Sequence, residues 1–596
     1  MAGEQASVIE QIVEQHGRDR GRLMDIAHAV QKQVGLFSED TIEAMARALG
    51  IPHADVRDMV SFYSFFPRTQ TGVRTIRLCT CAACRMKGMD AVASAFEKAV
   101  GASFGSTSPD GTISLEHTNC IGMCDQAPAA LVDGTVLTNI KPEDVEQIVV
   151  AIKEKGLTKP LHGTNALGEA ELNLRQPGPV IFAPMERGTG LRAALNMAPQ
   201  DVINVLNKAR LRGRGGAGFP TAMKWDLCRK AKGDAHYILC NADEGEPGTF
   251  KDRVILTEHP DLMFEGLTIG GYALGAQEGV LYLRGEYEYL LNHLNQMLAR
   301  RRRLGLLGEN ICGREGFHFD VRIVLGAGAY ICGEESSLIE SVEGKRGAPR
   351  DRPPFPVQKG YLKQPTSVNN VETLCCVARI LEKGPEWFSE MGTKDSTGTK
   401  LLSVSGDCEK PGVYEVEFGL SVESLLELVG ANGTQAVQMA GPSGQCLAPK
   451  DFGRSISFED LPTGGSVMIF GPQRDMLEYV KHFIDFFREE SCGWCAPCRV
   501  GTTLMLKYLD RILEGNGTQA DVDRLADLCQ TIKTTSRCGL GQASPNPIFS
   551  TLRSFRHLYE QRLRPVTGSL PFDYEKAMRI GCESAGRPLE LEGEHV

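Results

Sequence analysis

The densest chemistry in the sequence is sulfur. Cys492-Gly-Trp-Cys495-Ala-Pro-Cys498 stands near the end of the chain, with Cys538 of Ser536-Arg-Cys538-Gly as a remote fourth thiol. Three thiolates at C-x2-C-x2-C spacing fill three corners of a cubane and leave one iron for a distant cysteine, so the set reads as a [4Fe–4S] site. Zinc more often takes two separated C-x2-C pairs, because one ion gains little from a third ligand so close in sequence. A second set, Cys79-Thr-Cys81-Ala-Ala-Cys84 and Cys120-Ile-Gly-Met-Cys124, offers a C-x4-C and a C-x3-C pair. Four such thiolates can share two irons, a [2Fe–2S] site. Cys81 is ambiguous here, since it could replace Cys79; zinc and a redox disulfide are the competing readings. The 19 cysteines are an odd count, and Met1-Ala-Gly-Glu-Gln lacks a basic or apolar signal segment. A reducing cytoplasm is therefore expected rather than a secreted disulfide scaffold. Cys332 and the adjacent Cys375-Cys376 show no ligand spacing and are expected in the core.

Glycine and carboxylates form the other constellation. Arg212-Gly-Arg-Gly-Gly-Ala-Gly-Phe-Pro-Thr221 contains a formal G-x-G-x-x-G at Gly213, Gly215 and Gly218. A Rossmann turn needs a strand before it and a helix opening at the third glycine. Here Pro199–Leu211 reads as a helix and Phe219-Pro220 interrupts the chain just after the third glycine, so that assignment is rejected. Backbone N–H groups without Cβ atoms can still close on a phosphate or a flat ring, and Arg212, Arg214 and Lys224 are expected to add positive charge. The strand Tyr237–Cys240 delivers Asn241-Ala-Asp243-Glu244-Gly-Glu246, and the strand Val321–Leu325 delivers Gly326-Ala-Gly-Ala-Tyr330-Ile-Cys-Gly333-Glu334-Glu335. Paired acids beyond a strand end, twice over, argue for a polar cleft at the carboxyl edge of an α/β sheet. Carboxylates there suit ribityl or ribose hydroxyls and amide edges. Arg352 and Phe355, on a proline-stiffened segment, suit a nucleotide's phosphate and ring, the alternative being a rigid connection alone. Asn369-Asn370 offers amides suited to a flavin edge or to a satisfied turn.

Positioning these groups takes several elements, and 596 residues are too many for one core. Hydrophobic residues at 42% and charged residues at 23% describe a globular chain. No run approaches the ~20 apolar residues of a membrane span, and a net charge of -10 weighs against nucleic acid. Residues 8–62 read as helical from Val8, Ile9, Ile12 and Val13, then Leu23, Ile26, Ala27 and Val30, with Ser38 capping a helix that Gly50 stops. The expected architecture is multidomain α/β. A helical prefix with an α/β [2Fe–2S] unit fills 1–155, a linker 156–180, a glycine-rich cofactor domain 181–395, a small α/β module 396–474, and a helical cluster-binding bundle with a tail 475–596.

Taken together, Arg212–Thr221, Cys240–Arg253, Tyr330-Ile-Cys-Gly-Glu-Glu, Asn369-Asn-Val-Glu-Thr and the C-x2-C-x2-C motif resemble the NADH-oxidising flavoprotein subunit of respiratory complex I and its soluble relatives, over about residues 170–565. Residues 1–155 resemble that complex's thioredoxin-like [2Fe–2S] subunit, whose pattern selects Cys79, Cys84, Cys120 and Cys124 over Cys81. The small module resembles the family's ubiquitin-like insert. Such a fusion, with no ferredoxin-like extension, looks most like the diaphorase α subunits of soluble NAD-reducing [NiFe] hydrogenases.

The resemblance implies FMN, NAD(H), one [4Fe–4S] and one [2Fe–2S] cluster. It places FMN against Gly213, Arg214, Gly215 and Lys224, its ribityl and ring atoms at Asn241, Asp243 and Glu244, and Gly333, Glu334, Asn369 and Asn370 around it. The nucleotide would lie near Gly216, Phe219, Glu246, Tyr330 and Glu335, with Arg352 and Phe355 at its far end. The family usually carries Lys where Arg352 stands and often an aromatic where Leu227 stands. The implied activity is hydride exchange between NAD(H) and FMN and single-electron exchange with the clusters, with no catalytic side chain. The [2Fe–2S] cluster would serve as a side electron store. Implied partners are an iron–sulfur diaphorase subunit and the hydrogenase small and large subunits, without nucleic acid or a membrane span. The acidic cleft favours NAD over NADP. Complex I or an NAD-dependent formate dehydrogenase could use an equivalent subunit; a scaffold with a dead flavin site and a zinc-binding regulator are the more distant alternatives.

Overall fold

The computed structural model describes residues 2–155, 171–564 and 574–587. Its thioredoxin-like unit is a five-stranded sheet whose centre pairs Arg74–Cys79 in parallel with Ile113–Thr118, Cys79 opposite Thr118. Two parallel strands that end side by side release their loops at the same place. That brings the 79–84 and 120–124 thiols together although the strands are separated in sequence. The hairpin Ala130–Val132 and Thr135–Leu137 extends the sheet, and the helix Met89–Val100 packs beside it.

The cofactor domain is built on four parallel strands, in the order Thr366–Asn370, Tyr237–Ala242, Glu278–Leu283 and Asp320–Leu325. Asn370 lies opposite Asn241. All four carboxyl ends therefore open at one edge, where α/β sheets bind ligands. The helix Pro199–Lys208 precedes the glycine loop and Thr221–Lys230 comes after it, so the loop joins two helices and is not a strand-to-helix turn.

The helical prefix, Ala2–Gln15, Leu23–Val34, Glu39–Leu49 and His53–Phe62, forms as its periodicity predicts, with Ser38 accepting from the Thr41 N–H and Gly50 left-handed at φ 66°. It covers the cofactor sheet: Ile26, Val30, Val56 and Val60 share a core with Leu239, Val280 and Val324. His28 Nε2 sits 3.1 Å from the carbonyls of both Leu325 and Gly326, and the Tyr63 hydroxyl donates to Ser341 at 2.8 Å.

The small module is a six-stranded sheet with the helix Val422–Val429. Its edge strand, Leu174–Gln176, comes from the stretch expected to be linker and pairs with Gly412–Glu417. Just beyond it, the buried Glu415 carboxylate accepts from the N–H groups of Gly178, Val180, Ile181 and Phe182 at 2.9–3.2 Å. Residues 156–170 of the expected linker lie outside the described residues, as do 565–573 and 588–596 of the expected tail. Helices Met476–Glu489, Ala496–Leu513 and Gln519–Thr535 dominate the C-terminal bundle. Among the described residues no helix is long and apolar enough to cross a membrane.

Candidate functional site

Two chambers of about 950 and 600 Å³ open at the carboxyl edge of the parallel sheet and share Gly215, Asn241, Gly333, Glu334, Asn370 and Gly539 as walls. The larger also takes in Gly213, Phe219, Lys224, Glu335, Arg352, Phe355 and Asn369; the smaller takes in Gly216, Asp243, Glu244, Glu246 and Tyr330. Nearly every residue expected at the cofactor site thus converges. The two strand-end loops are tied directly, Asn241 Nδ2 donating to the Gly333 carbonyl at 2.8 Å. Two glycines of the loop require their identity. Gly216 has φ 125°, and Gly218 has φ 62° with a Cβ that would fall 2.4 Å from the Phe458 ring.

One expectation is corrected. Arg214 is buried and points away from the cleft, donating to the carbonyls of Arg212, Thr397 and Thr399 and packing over Phe418. Arg212 likewise donates to the Gly218 carbonyl and lies over Phe458. Their guanidiniums fasten the loop to the small module, and Lys224 is the member of the trio that faces the cavity. Its Nζ lies 3.2 Å from the Val368 carbonyl and 3.4 Å from Glu335. Arg352 pairs with Glu334 and Glu335 at 3.4 and 3.6 Å. Asn369 turns its amide inward, accepting from Trp225 Nε1 and donating to Ser367.

Burial raises three acids of the cleft, Asp243, Glu244 and Glu246. Burial pushes Glu246 up to about 7, even though Tyr330 and Ser443 donate to it at 2.5 and 2.8 Å. Burial, then the neighbouring Asp252, pushes Glu244 to about 7; it accepts from the N–H groups of Asp252 and Arg253 and from the Tyr287 hydroxyl. Burial also raises Asp243 well above the ordinary carboxylate range, and its Oδ2 has no hydrogen-bond partner among the described residues. A solvent-shielded acceptor facing a glycine-walled cavity, with the Lys224 ammonium on its wall, fits a flat polar-edged ring carrying a phosphate. The residues present therefore fit FMN. Phe219, Leu227 and Phe355, all close to half exposed, give the larger chamber an aromatic and apolar mouth.

The cysteine sets lie on either side. Cys79, Cys81, Cys84, Cys120 and Cys124 are all buried, with Cys120 and Cys124 sulfurs 3.2 Å apart. Hydrogen bonding among the crowded thiols splits them, Cys79 lowering Cys84 to about 5 and Cys124 lowering Cys120, while Cys120 raises Cys79 and Cys124. Four of the five suffice for the expected [2Fe–2S] cluster. In the second set Cys498 and Cys538 are buried and Cys492 and Cys495 half-buried. The turn after Cys538 packs on Cys498, where a Cβ on Gly541 would come within 3.1 Å of the Cys498 Cβ.

Several connecting residues carry no sequence signature. Arg284, buried, donates to the Cys120 carbonyl at 2.6 Å and to the Glu244 carbonyl at 2.5 Å. Tyr287 contacts Gly122 so closely that a Cβ there would lie 2.2 Å from its hydroxyl. Glu490, two residues before Cys492, accepts from Asn119 beside Cys120 and from the Tyr330 N–H. Gly539, directly after Cys538, walls both chambers. These were not legible because a lone arginine or glutamate at unremarkable spacing gives no periodic or motif signal.

Family models match three stretches: a thioredoxin-like [2Fe-2S] ferredoxin over residues 9–153, the Nuo51 FMN-binding domain over 206–379, and the iron-sulfur binding region of NADH-ubiquinone oxidoreductase F over 478–562. Fold and site together define the class, a flavin- and iron–sulfur-dependent NADH oxidoreductase. More specifically, the chain is 45% identical to the NAD-reducing hydrogenase HoxS subunit alpha of Cupriavidus necator, across 98% of this chain and 99% of that one. It is 42% identical to the NADP-reducing hydrogenase subunit HndC of Solidesulfovibrio fructosivorans over 68% of its length and 86% of that protein's. A chain in the crystal structure of an H2-reduced NAD+-reducing [NiFe]-hydrogenase superposes with TM-score 0.86 at 35% identity, covering 97% of this chain and 100% of that one. The chain belongs to the family of NAD-reducing hydrogenase α subunits.

Proposed function

We propose that this chain is the diaphorase subunit of an NAD-reducing hydrogenase, working with an iron–sulfur diaphorase subunit and hydrogenase small and large subunits in the cytoplasm. Bound FMN supplies hydride exchange with the nicotinamide and one-electron exchange with the clusters, chemistry that no side chain can perform. The chain's own residues bind, orient and shield. The backbone from Gly213 to Gly216 and the Lys224 ammonium would hold the flavin and its phosphate. Asp243 Oδ2 would accept from a polar edge of the ring, with Asn241, Glu244, Gly333, Glu334, Asn369 and Asn370 around it. Phe219 and Phe355 would flank the nucleotide, Arg352 would exchange its pairing with Glu334 and Glu335 for a phosphate, and Glu246, Tyr330 and Glu335 would line its path. Cys79, Cys84, Cys120 and Cys124 would hold the [2Fe–2S] cluster, and Cys492, Cys495, Cys498 and Cys538 the [4Fe–4S] cluster. The units at work are those bounded at 155, 395 and 474, with Leu174–Gln176 of the 156–180 stretch joined to the small module's sheet.

The observation that carries this reading is Gly539, at once the residue after a cluster cysteine and a wall of both chambers. With Cys538 as a cluster ligand, Gly539 would bring the one-electron site against the cleft where a two-electron donor would sit. The test is purification of the native complex from an untagged host with subunit identification and metal analysis. Nickel with iron and hydrogen-dependent NAD reduction are expected. Molybdenum or tungsten with formate-dependent reduction would move the same module to a formate dehydrogenase, and zinc without flavin would overturn the reading.

A further inference from the structure

A [2Fe–2S] cluster takes four thiolates, yet five converge at the ends of Arg74–Cys79 and Ile113–Thr118. Cys79, Cys81 and Cys84 form a group whose Sγ atoms all lie within 4.8 Å of one another, and Cys81, Cys120 and Cys124 form a second. Cys81 belongs to both. Its Sγ is 3.9 Å from that of Cys124, so a small shift of the 81–84 loop, without refolding, brings it to the cluster site. The backbone holds it there. Thr80, between Cys79 and Cys81, donates its N–H to the Thr118 carbonyl at 2.9 Å, and the Cys81 carbonyl accepts from the Arg85 N–H at 3.0 Å. Cys81 is only 5% exposed. A cysteine that merely fills the core packs among hydrocarbon; this one faces thiols from both halves of the cluster site.

We propose that Cys81 is a second, alternative iron ligand that exchanges with Cys79, so that the cluster is held either by Cys79, Cys84, Cys120 and Cys124 or by Cys81, Cys84, Cys120 and Cys124. The inference rests on the [2Fe–2S] assignment proposed above. Cys79 is the ligand replaced because the incoming thiol must share an iron with Cys84, and Cys81–Cys84 has the C-x2-C spacing that recurs in metal sites, whereas Cys79–Cys81 does not. In the exchange the bond from iron to the Cys79 sulfur breaks and one to the Cys81 sulfur forms. The proton of the Cys81 thiol passes to the released Cys79 thiolate, and no electron moves. The site thus carries its own reserve ligand.

The test uses the full chain, purified anaerobically, as parent, Cys79→Ala, Cys81→Ala and the double variant. Iron and acid-labile sulfide are counted, and EPR of the reduced protein separates the [2Fe–2S] from the [4Fe–4S] signal. Cys79→Ala is expected to keep a [2Fe–2S] signal with shifted g values, Cys81→Ala to keep the parent's, and the double variant to lose it. Loss of the signal in Cys79→Ala to the level of the double variant, with FMN and the [4Fe–4S] signal intact, would overturn the inference. If Cys79→Ala loses FMN and the [4Fe–4S] signal as well, it has not folded, and iron release to a chelator then decides. Cys81→Ala should release the [2Fe–2S] iron severalfold faster than the parent, and equal rates would overturn the proposal. A parent without a [2Fe–2S] signal would overturn the site assignment and this inference together.

Discussion

At Glu246 two forces oppose each other. Tyr330 and Ser443 donate hydrogen bonds that favour the carboxylate, while burial favours the acid and prevails, raising it to about 7. The group is therefore neutral in mild acid and charged in mild base, and on the nucleotide path proposed above its charge would repel a 2′-phosphate. Between pH 6 and pH 8 the preference in kcat/KM for NADH over NADPH should grow by about tenfold, or about 1.4 kcal/mol. Glu246→Gln should remove that growth; steady-state kinetics of both nucleotides in parent and variant measure it. Glu244 bears on stability instead. Its folded value of about 7 lies above the ordinary 4.5, so its contribution is complete below about pH 4.5 and is lost as pH rises through 7. Thermal unfolding of the flavin-free chain should show a melting temperature that falls between pH 5 and pH 8 more steeply for the parent than for Glu244→Gln.

Elements are joined here by buried charge. Arg253, at the start of the helix Lys251–Glu258, pairs with Asp125 in the [2Fe–2S] loop at 3.1 Å, and both side chains are fully buried. Removing one partner leaves a bare charge in low dielectric, which costs about 3–5 kcal/mol. Arg253→Ala should therefore destabilise the chain by that amount in urea unfolding and loosen the loop carrying Cys120 and Cys124. The [2Fe–2S] EPR signal should decline before the FMN content does. An Arg253→Lys variant that keeps the charge should recover part of both. Strand-end acids and the paired loops were legible from hydrophobic runs closed by Asn-Ala-Asp-Glu and Gly-Glu-Glu, because a buried parallel strand must be continuous and its polar residues collect where it ends. The Leu174–Gln176 strand was not, since Pro177-Gly178-Pro179 reads as linker and only pairing with Gly412–Glu417 makes the short segment a strand.

Across the whole molecule, the helical prefix precedes the [2Fe–2S] unit in sequence but packs on the cofactor sheet. Deleting residues 1–66 should thus affect the flavin site more than the thioredoxin-like sheet. Hydrogen exchange should rise in Glu278–Leu283 and Asp320–Leu325, FMN content should drop severalfold, and Arg74–Cys79 should stay protected. The reverse pattern of exchange would show that the prefix supports the cluster unit instead. The prefix, the Arg284 bridge and the Glu490 contacts together bind the three cofactor sites into one body.

The sequence by itself determined the kinds of chemistry. Cysteine spacing narrows the metal chemistry, because a loop of fixed length can reach only certain corners of a metal core, and at the C-terminal set it favours a cubane over zinc. The helix before Gly213 excluded a Rossmann turn because periodicity is a local property, readable without the fold. Direction and company were decided by the tertiary structure alone. Arg214 stands in a motif that promises charge for the cleft, yet the carbonyls of Thr397 and Thr399, from a distant segment, draw its guanidinium inward. Cys81 carries the same spacing whether it is a spectator or a ligand, and only the parallel registry of Cys79 with Thr118 sets its sulfur between both pairs. A side chain's type is written in the chain; what it faces depends on which remote backbone packs against it.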